Sequence, residues 1–133
     1  YYADLGKMIG ISEFTMTGDD PDIRYKYTRD FMTIVFSHPS VHEFVFWGLN
    51  EKDNWKVDIF KHDWKRGSMG RAFEELVQEK WTTNLSGDLN NRGEFEGRGF
   101  YGLYKYELQI AGKKYSGSFS HLPGNHKEIK IDL

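Results

Sequence analysis

Apolar and polar positions change period along the chain, and the changes divide it in two. Lys7 to Met16, KMIGISEFTM, is a nearly unbroken apolar run interrupted by Ser12 and Glu13. Such a run suits a strand covered on both faces, as in a parallel sheet. Asp19-Asp20-Pro21-Asp22 follows as a helix start: Asp20 can accept from free amide groups, proline suits the first helical position, and acidic residues favour the positive end of the dipole. Ile23, Tyr27, Phe31, Ile34 and Val35 recur every three or four residues, which predicts one buried helix face. Ser37-His38-Pro39 predicts its end, because the residue before proline resists helical geometry. Glu43 to Gly48, EFVFWG, reads as a second strand. A polar stretch from Leu49 to Arg66 leads to a last helix over Ser68 to Lys80, with Ala72, Phe73, Leu76 and Val77 inward. The order strand, helix, strand, helix implies parallel pairing, yet two parallel strands make no stable sheet alone.

From Thr82 onward only strands are predicted. Gly87 and Asn90-Asn91-Arg92-Gly93 are turn signals before a short strand, Glu94 to Gly99. Leu103 to Ala111 alternates cleanly, with Tyr104, Tyr106, Leu108 and Ile110 on one face and Lys105, Glu107 and Gln109 on the other, as in a half-buried antiparallel strand. Ala111-Gly112-Lys113 turns into Lys114 to Ser120, and Leu122-Pro123-Gly124-Asn125 turns into Glu128 to Leu133. Such strands form a small antiparallel sheet or sandwich. The fold class is therefore α/β over 1–81 followed by all-β over 82–133.

Composition narrows the function classes. The net charge is −2 over 133 residues, and the scattered lysines and arginines give no nucleic-acid footprint. No apolar stretch approaches the roughly 18 residues of a membrane span. Aromatic residues make up 17% of the chain; flat rings stack on sugars as well as in cores, so a carbohydrate ligand is permitted and not required. There is no cysteine. His38, His42, His62, His121 and His126 lack metal-ligand spacing, so no metal or other cofactor is assigned. Asn84-Leu85-Ser86 is a glycosylation sequon, meaningful only for a secreted eukaryotic protein. A first residue of Tyr rather than Met fits a processed or trimmed protein.

Gly10-Ile11-Ser12-Glu13-Phe14 resembles the seventh strand of family 10 glycoside hydrolases, where an aliphatic-Thr-Glu-aliphatic-Asp pattern presents the catalytic nucleophile. Glu13 matches the nucleophile and Ser12 the usual Thr, while Thr15 replaces the usual Asp and removes a nearby carboxylate. The resemblance continues through FMTIVFSHPSV at 31–41 and through Phe44-Val45-Phe46-Trp47-Gly48-Leu49, similar to the eighth strand, whose Trp lines the sugar subsite beside the scissile bond. Asn54-Trp55 resembles the aromatic of the loop over that subsite. Asp63-Trp64 and Gly70 to Val77 resemble the approach to the last helix and the helix itself. Trp81-Thr82-Thr83, Gly93-Glu94-Phe95, Arg98-Gly99-Phe100 and Gly102-Leu103-Tyr104 look like the small β-domain that follows some members.

The resemblance implies the last two βα units of a (β/α)₈ barrel followed by a small antiparallel β-sandwich. It further implies a retaining glycosidase on β-1,4-xylan or a related polysaccharide, with Glu13 as nucleophile, Trp47 and Trp55 as substrate-binding residues, and secretion. The acid/base of such an enzyme lies on the fourth strand, so the partners implied are the xylan-like substrate and a missing N-terminal barrel portion, with no nucleic acid or membrane. Glu43 stands at the wrong strand end, and Glu51 and Asp53 read as solvated surface, so no substitute acid is found. Two other readings stay open: a non-catalytic carbohydrate-binding protein centred on 82–133, with Phe100 and Tyr101 exposed, and an extracellular interaction module.

Overall fold

The computed structural model describes residues 2–50, 57–124 and 130. The chain divides into two compact units, Tyr1–Trp81 and Thr82–Leu133. In the first, a single 3₁₀ turn (Ala3–Leu5) precedes β1 (Ile9–Phe14), α1 (Pro21–Ser37), β2 (Val41–Phe46) and α2 (Ser68–Glu74), which widens into a π-helical turn over Glu75–Lys80. β1 and β2 pair in parallel, joined by α1. The helix starts where the sequence predicts: Asp20 Oδ1 accepts from the amides of Asp22 at 2.8 Å and Ile23 at 3.3 Å. It stops at Ser37 because His38, before proline, is extended at φ −90° and ψ 119°.

Phe14, Val57, Ile59 and Met69 form the buried core, with Ile11, Met16, Phe31, Phe44, Phe46 and Phe60 packed around them. Phe14 is its hub, stacked on Phe31 at 5.0 Å and edge-on to Phe46 at 5.9 Å, geometries that suit the ring quadrupole. The ladder pairs Ile11 with Phe44 and Phe14 with Phe46. Ser12 and Glu13 therefore stand against Val45 alone, a bulge that lets Ile11 and Phe14 both reach the core and leaves Ser12 and Glu13 exposed. Bulges re-aim side chains in this way.

Two inward faces differ from the sequence prediction. On α1 the buried positions are Arg24, Thr28 and Met32, while Ile23, Tyr27 and Ile34 are exposed and Phe31 and Val35 half-buried. On α2 and its extension Met69, Ala72 and Leu76 are buried, but Phe73 and Val77 are exposed, although Phe73 meets the edge of the Phe46 ring at 6.0 Å. The reason is the small number of partners. A helix over a two-stranded sheet is covered where it meets strand and sister helix, and its further apolar flank stays open.

The second unit contains β3 (Gly102–Ile110) and β4 (Lys113–His121), an antiparallel hairpin in continuous register from Gly102↔His121 to Ile110↔Lys113. Tyr104, Tyr106, Leu108 and Ile110 are half-buried on one face, opposite Phe119, Gly117, Tyr115 and Lys113. Tyr104 stacks on Phe119 at 5.2 Å, and the Tyr106 ring lies over Gly117, where a Cβ would stand 2.6 Å from its hydroxyl. Glu94 to Gly99, predicted as a strand, adopts no regular structure. Asn90 holds a turn there instead, its Oδ1 accepting from the amides of Arg92 and Glu94, each at 2.9 Å. Gly97 and Gly99 take rings and branched chains against bare backbone: added Cβ atoms would meet Leu85 at 2.6 Å and the Tyr104 hydroxyl at 2.3 Å. The predicted strand Glu128 to Leu133 falls outside the described residues, apart from Lys130.

The hairpin turn yields a stability prediction. Ala111 at φ 49° and Gly112 at φ 78° form a two-residue connection of the type I′ kind, which favours Asn-Gly. Ala111 holds a left-handed conformation that costs an L-residue roughly 1–2 kcal/mol. Ala111→Asn is expected to stabilise the second unit by about 0.5–1 kcal/mol; urea unfolding measures it, and a loss of stability contradicts the turn assignment.

Candidate functional site

Parallel strands end at the same sheet edge, and sites of α/β folds are built at their carboxyl ends. Glu13 is the penultimate residue of β1 and is exposed. Trp47 directly follows β2, and its N–H donates to the carbonyl of Phe14 at 3.0 Å, extending the ladder by one rung. That bond sets the backbone of Trp47 beside the end of the strand that carries Glu13. Trp47 is 43% exposed. Thr15 follows, its hydroxyl buried without a hydrogen-bond partner among the described residues.

Glu43 pairs with Gly10 in the ladder, three residues before Glu13, and its Oε2 stands 3.1 Å from where a Cβ on Gly10 would lie. It occupies the opening half of the sheet rather than its carboxyl edge. Trp55, Glu51, Asp53 and Asn54 lie outside the described residues. Among the described residues no group of three His, Asp or Glu could hold a metal ion, and no helix is long and apolar enough to cross a membrane. A groove of ≈ 420 Å³ lies between α1 and the π-helical turn, lined among others by Arg29, Thr33, Lys80 and Trp81. Neither Glu13 nor Trp47 lines it.

Beyond that edge, Phe60 N–H donates to Leu49 O at 2.8 Å. Val57, Asp58 and Ile59, the returning leg, are all buried. Asp58 Oδ2 accepts from Ser68 N at 2.9 Å and Oδ1 from Met69 N at 3.1 Å. Arg24 Nη2 of α1 lies 3.2 Å from Oδ2. Asp58 thus caps α2, whose own N-cap residue, Gly67, has no side chain to do so. The approach is so close that a Cβ on Gly67 would stand 1.9 Å from Asp58 O, and one on Gly70 2.1 Å from Ile59 O. Arg24 Nε and Thr28 Oγ1, one turn apart on α1, are buried without hydrogen-bond partners among the described residues.

Sequence patterning does not single out Arg24 or Asp58, since both read as surface charges on a helix and in a polar loop. A signal existed nonetheless. Asp58 sits inside the apolar run Val57-Asp58-Ile59-Phe60, ahead of a helix entered through Gly67. Beyond it, at the exposed 61–65 turn, the Lys65 side chain and then its amide hold the Asp63 carboxyl below its usual range.

No family model matches the chain. It is similar to the anti-sigma-I factor RsgI6 of Acetivibrio thermocellus, at 36% identity over 84% of this chain and 15% of that protein. Two endo-1,4-beta-xylanases of Arabidopsis thaliana are also similar. Xylanase 3 is 27% identical over 78% of this chain and 14% of its own length, and xylanase 2 is 26% identical over 97% and 12%. The chain thus spans 12 to 15% of the length of the curated relatives it matches. The xylanase similarity marks it as xylanase-related.

Removing one partner of a buried, hydrogen-bonded ion pair strands the other charge, which costs about 3–5 kcal/mol. Loss of an exposed N-cap costs about 1 kcal/mol. Asp58→Ala is accordingly expected to destabilise the first unit several times more than Asp20→Ala. Chemical denaturation of both variants checks the ranking, and equal losses contradict the clamp.

Proposed function

We propose that the chain is a C-terminal piece of a retaining glycosidase of the family 10 xylanase type, supplying the nucleophile Glu13 and the sugar platform Trp47. The supporting observation is the Trp47-to-Phe14 rung, 3.0 Å long, in a chain similar to two endo-1,4-beta-xylanases. It brings the ends of the two strands together at the edge where barrel enzymes carry their chemistry.

Retention needs two carboxyl groups about 5–5.5 Å apart. In this reading the Glu13 carboxylate attacks the anomeric carbon as the glycosidic bond breaks, and a carboxylic acid from the preceding part of the protein protonates the leaving oxygen. That second group, now a carboxylate, takes a proton from water, which attacks the anomeric carbon and releases Glu13. Environment must hold the first group ionised and the second protonated. Trp47 offers an apolar face for the pyranose ring beside the scissile bond. The exposed flank of Ile23, Tyr27 and Ile34 suits a preceding helix, and a sheet of two strands among the described residues suits further strands. These belong to the portion of a parent barrel that the 12 to 15% coverage leaves unaccounted for.

A second reading is a non-catalytic, carbohydrate-binding protein derived from such an enzyme. Thr15 in place of the usual Asp and the similarity to an anti-sigma-I factor favour it, the latter because that relative is named for regulation rather than hydrolysis.

Treating the parent protein with a 2-deoxy-2-fluoro-xylobioside carrying a good leaving group distinguishes the two. The first reading expects a covalent adduct on the peptide containing Glu13, lost in Glu13→Gln, and no xylan cleavage by the 133-residue chain alone. An adduct on another residue, or cleavage by the isolated chain, overturns it. Xylan binding without any adduct supports the second.

A further inference from the structure

We infer that Arg24 and Asp58 form a positioning pair for Val57 to Phe60, the segment that pairs with Leu49 beside Trp47, a role that rests on reading the Trp47 edge as a sugar platform. Trp47 N–H meets Phe14 O at 3.0 Å, and Phe60 N–H meets Leu49 O at 2.8 Å. Val57 to Ile59, the returning leg that leads into Phe60, is buried against the core. Val57 and Ile59 contribute apolar contact, which is non-directional and tolerates a slip of the strand along the core. Asp58 is directional: Ser68 N, Met69 N and Arg24 Nη2 converge on its two oxygens at 2.9, 3.1 and 3.2 Å. A slip of one residue would set an apolar side chain against two amide donors and a guanidinium, and turn the carboxylate into the aromatic cluster.

Stability alone does not account for such a pair. Replacing a buried ion pair with apolar groups of similar size is often neutral or stabilising, and the best-attested use of buried charge is to fix register. The register fixed here is that of Phe60, two residues beyond Asp58, and through the Phe60–Leu49 bond that of Leu49, two residues beyond Trp47. Gly67 and Gly70 support this reading, because only residues without a Cβ admit the returning leg so near the start of α2. Arg24 spans the two layers, reaching from α1 to the same carboxylate. Neither residue touches substrate in this scheme; both set where the platform stands.

The test uses the 133-residue chain with Arg24→Met/Asp58→Leu and, separately, the isosteric Asp58→Asn. Thermal unfolding, NMR exchange of the Phe60 amide and fluorescence titration with xylohexaose are measured together. The double variant is expected to recover the wild-type unfolding temperature, yet its Phe60 amide should exchange about tenfold faster, a local opening without global loss. Asp58→Asn, which keeps the shape and one acceptor oxygen, should show a smaller rise at Phe60 with the Leu108 amide of the second unit unchanged. It decides the matter should the double variant fail to fold. Wild-type protection of Phe60 in Asp58→Asn and in any folded double variant overturns the proposal. Xylohexaose affinity should fall in step with Phe60 protection, and affinity unchanged while Phe60 opens overturns the link to the platform. Absence of xylohexaose binding by the wild-type chain refutes the platform reading instead, and Phe60 exchange then judges the clamp by itself.

Discussion

The first unit depends on a carboxylate kept out of water. Asp58 is fully buried and would be costly to desolvate by itself, but two amides of α2 and the guanidinium of Arg24 surround it. One side chain therefore joins the loop leg, the start of α2 and the middle of α1. Around it the aromatic cluster centred on Phe14 supplies cohesion without direction, whereas the clamp supplies direction. Close approaches at Gly67 and Gly70, where the returning leg passes the start of α2, accompany it.

Local rules made the helix ends legible in the sequence. Asp20-Pro21 and His38-Pro39 set the bounds of α1 through capping and proline sterics, and strict alternation marked β3. What stayed hidden depends on contacts distant in sequence. The apolar stripe Ile23-Tyr27-Ile34 reads as core by period, yet burial is decided by which neighbours are present, and Arg24, Thr28 and Met32 face the covered side. Glu94 to Gly99 reads as a strand by its flanking turns, but its glycines serve to admit neighbouring side chains. At the candidate site, Glu13 and Trp47 were legible as a pair only through family resemblance. The bulge that exposes Ser12 and Glu13 while keeping Ile11 and Phe14 inward is a matter of register that no single-strand pattern displays.

The two exposed features of the first unit point the same way. Among the described residues the parallel sheet has two strands and α1 keeps Ile23, Tyr27 and Ile34 exposed, and the chain spans 12 to 15% of its curated relatives. In the proposed enzyme the missing layer also brings the second carboxylate, so completing the fold and completing the site are one event.

The most direct test of the central claim is the separation between the Glu13 carboxylate and the nearest carboxyl group contributed by the preceding part of the parent protein, read from its crystal structure. About 5–5.5 Å, with the Trp47 indole beside the gap, is expected of a retaining site. A separation of about 6.5–9.5 Å, as in inverting enzymes, or no facing carboxyl group at all, contradicts Glu13 as the nucleophile.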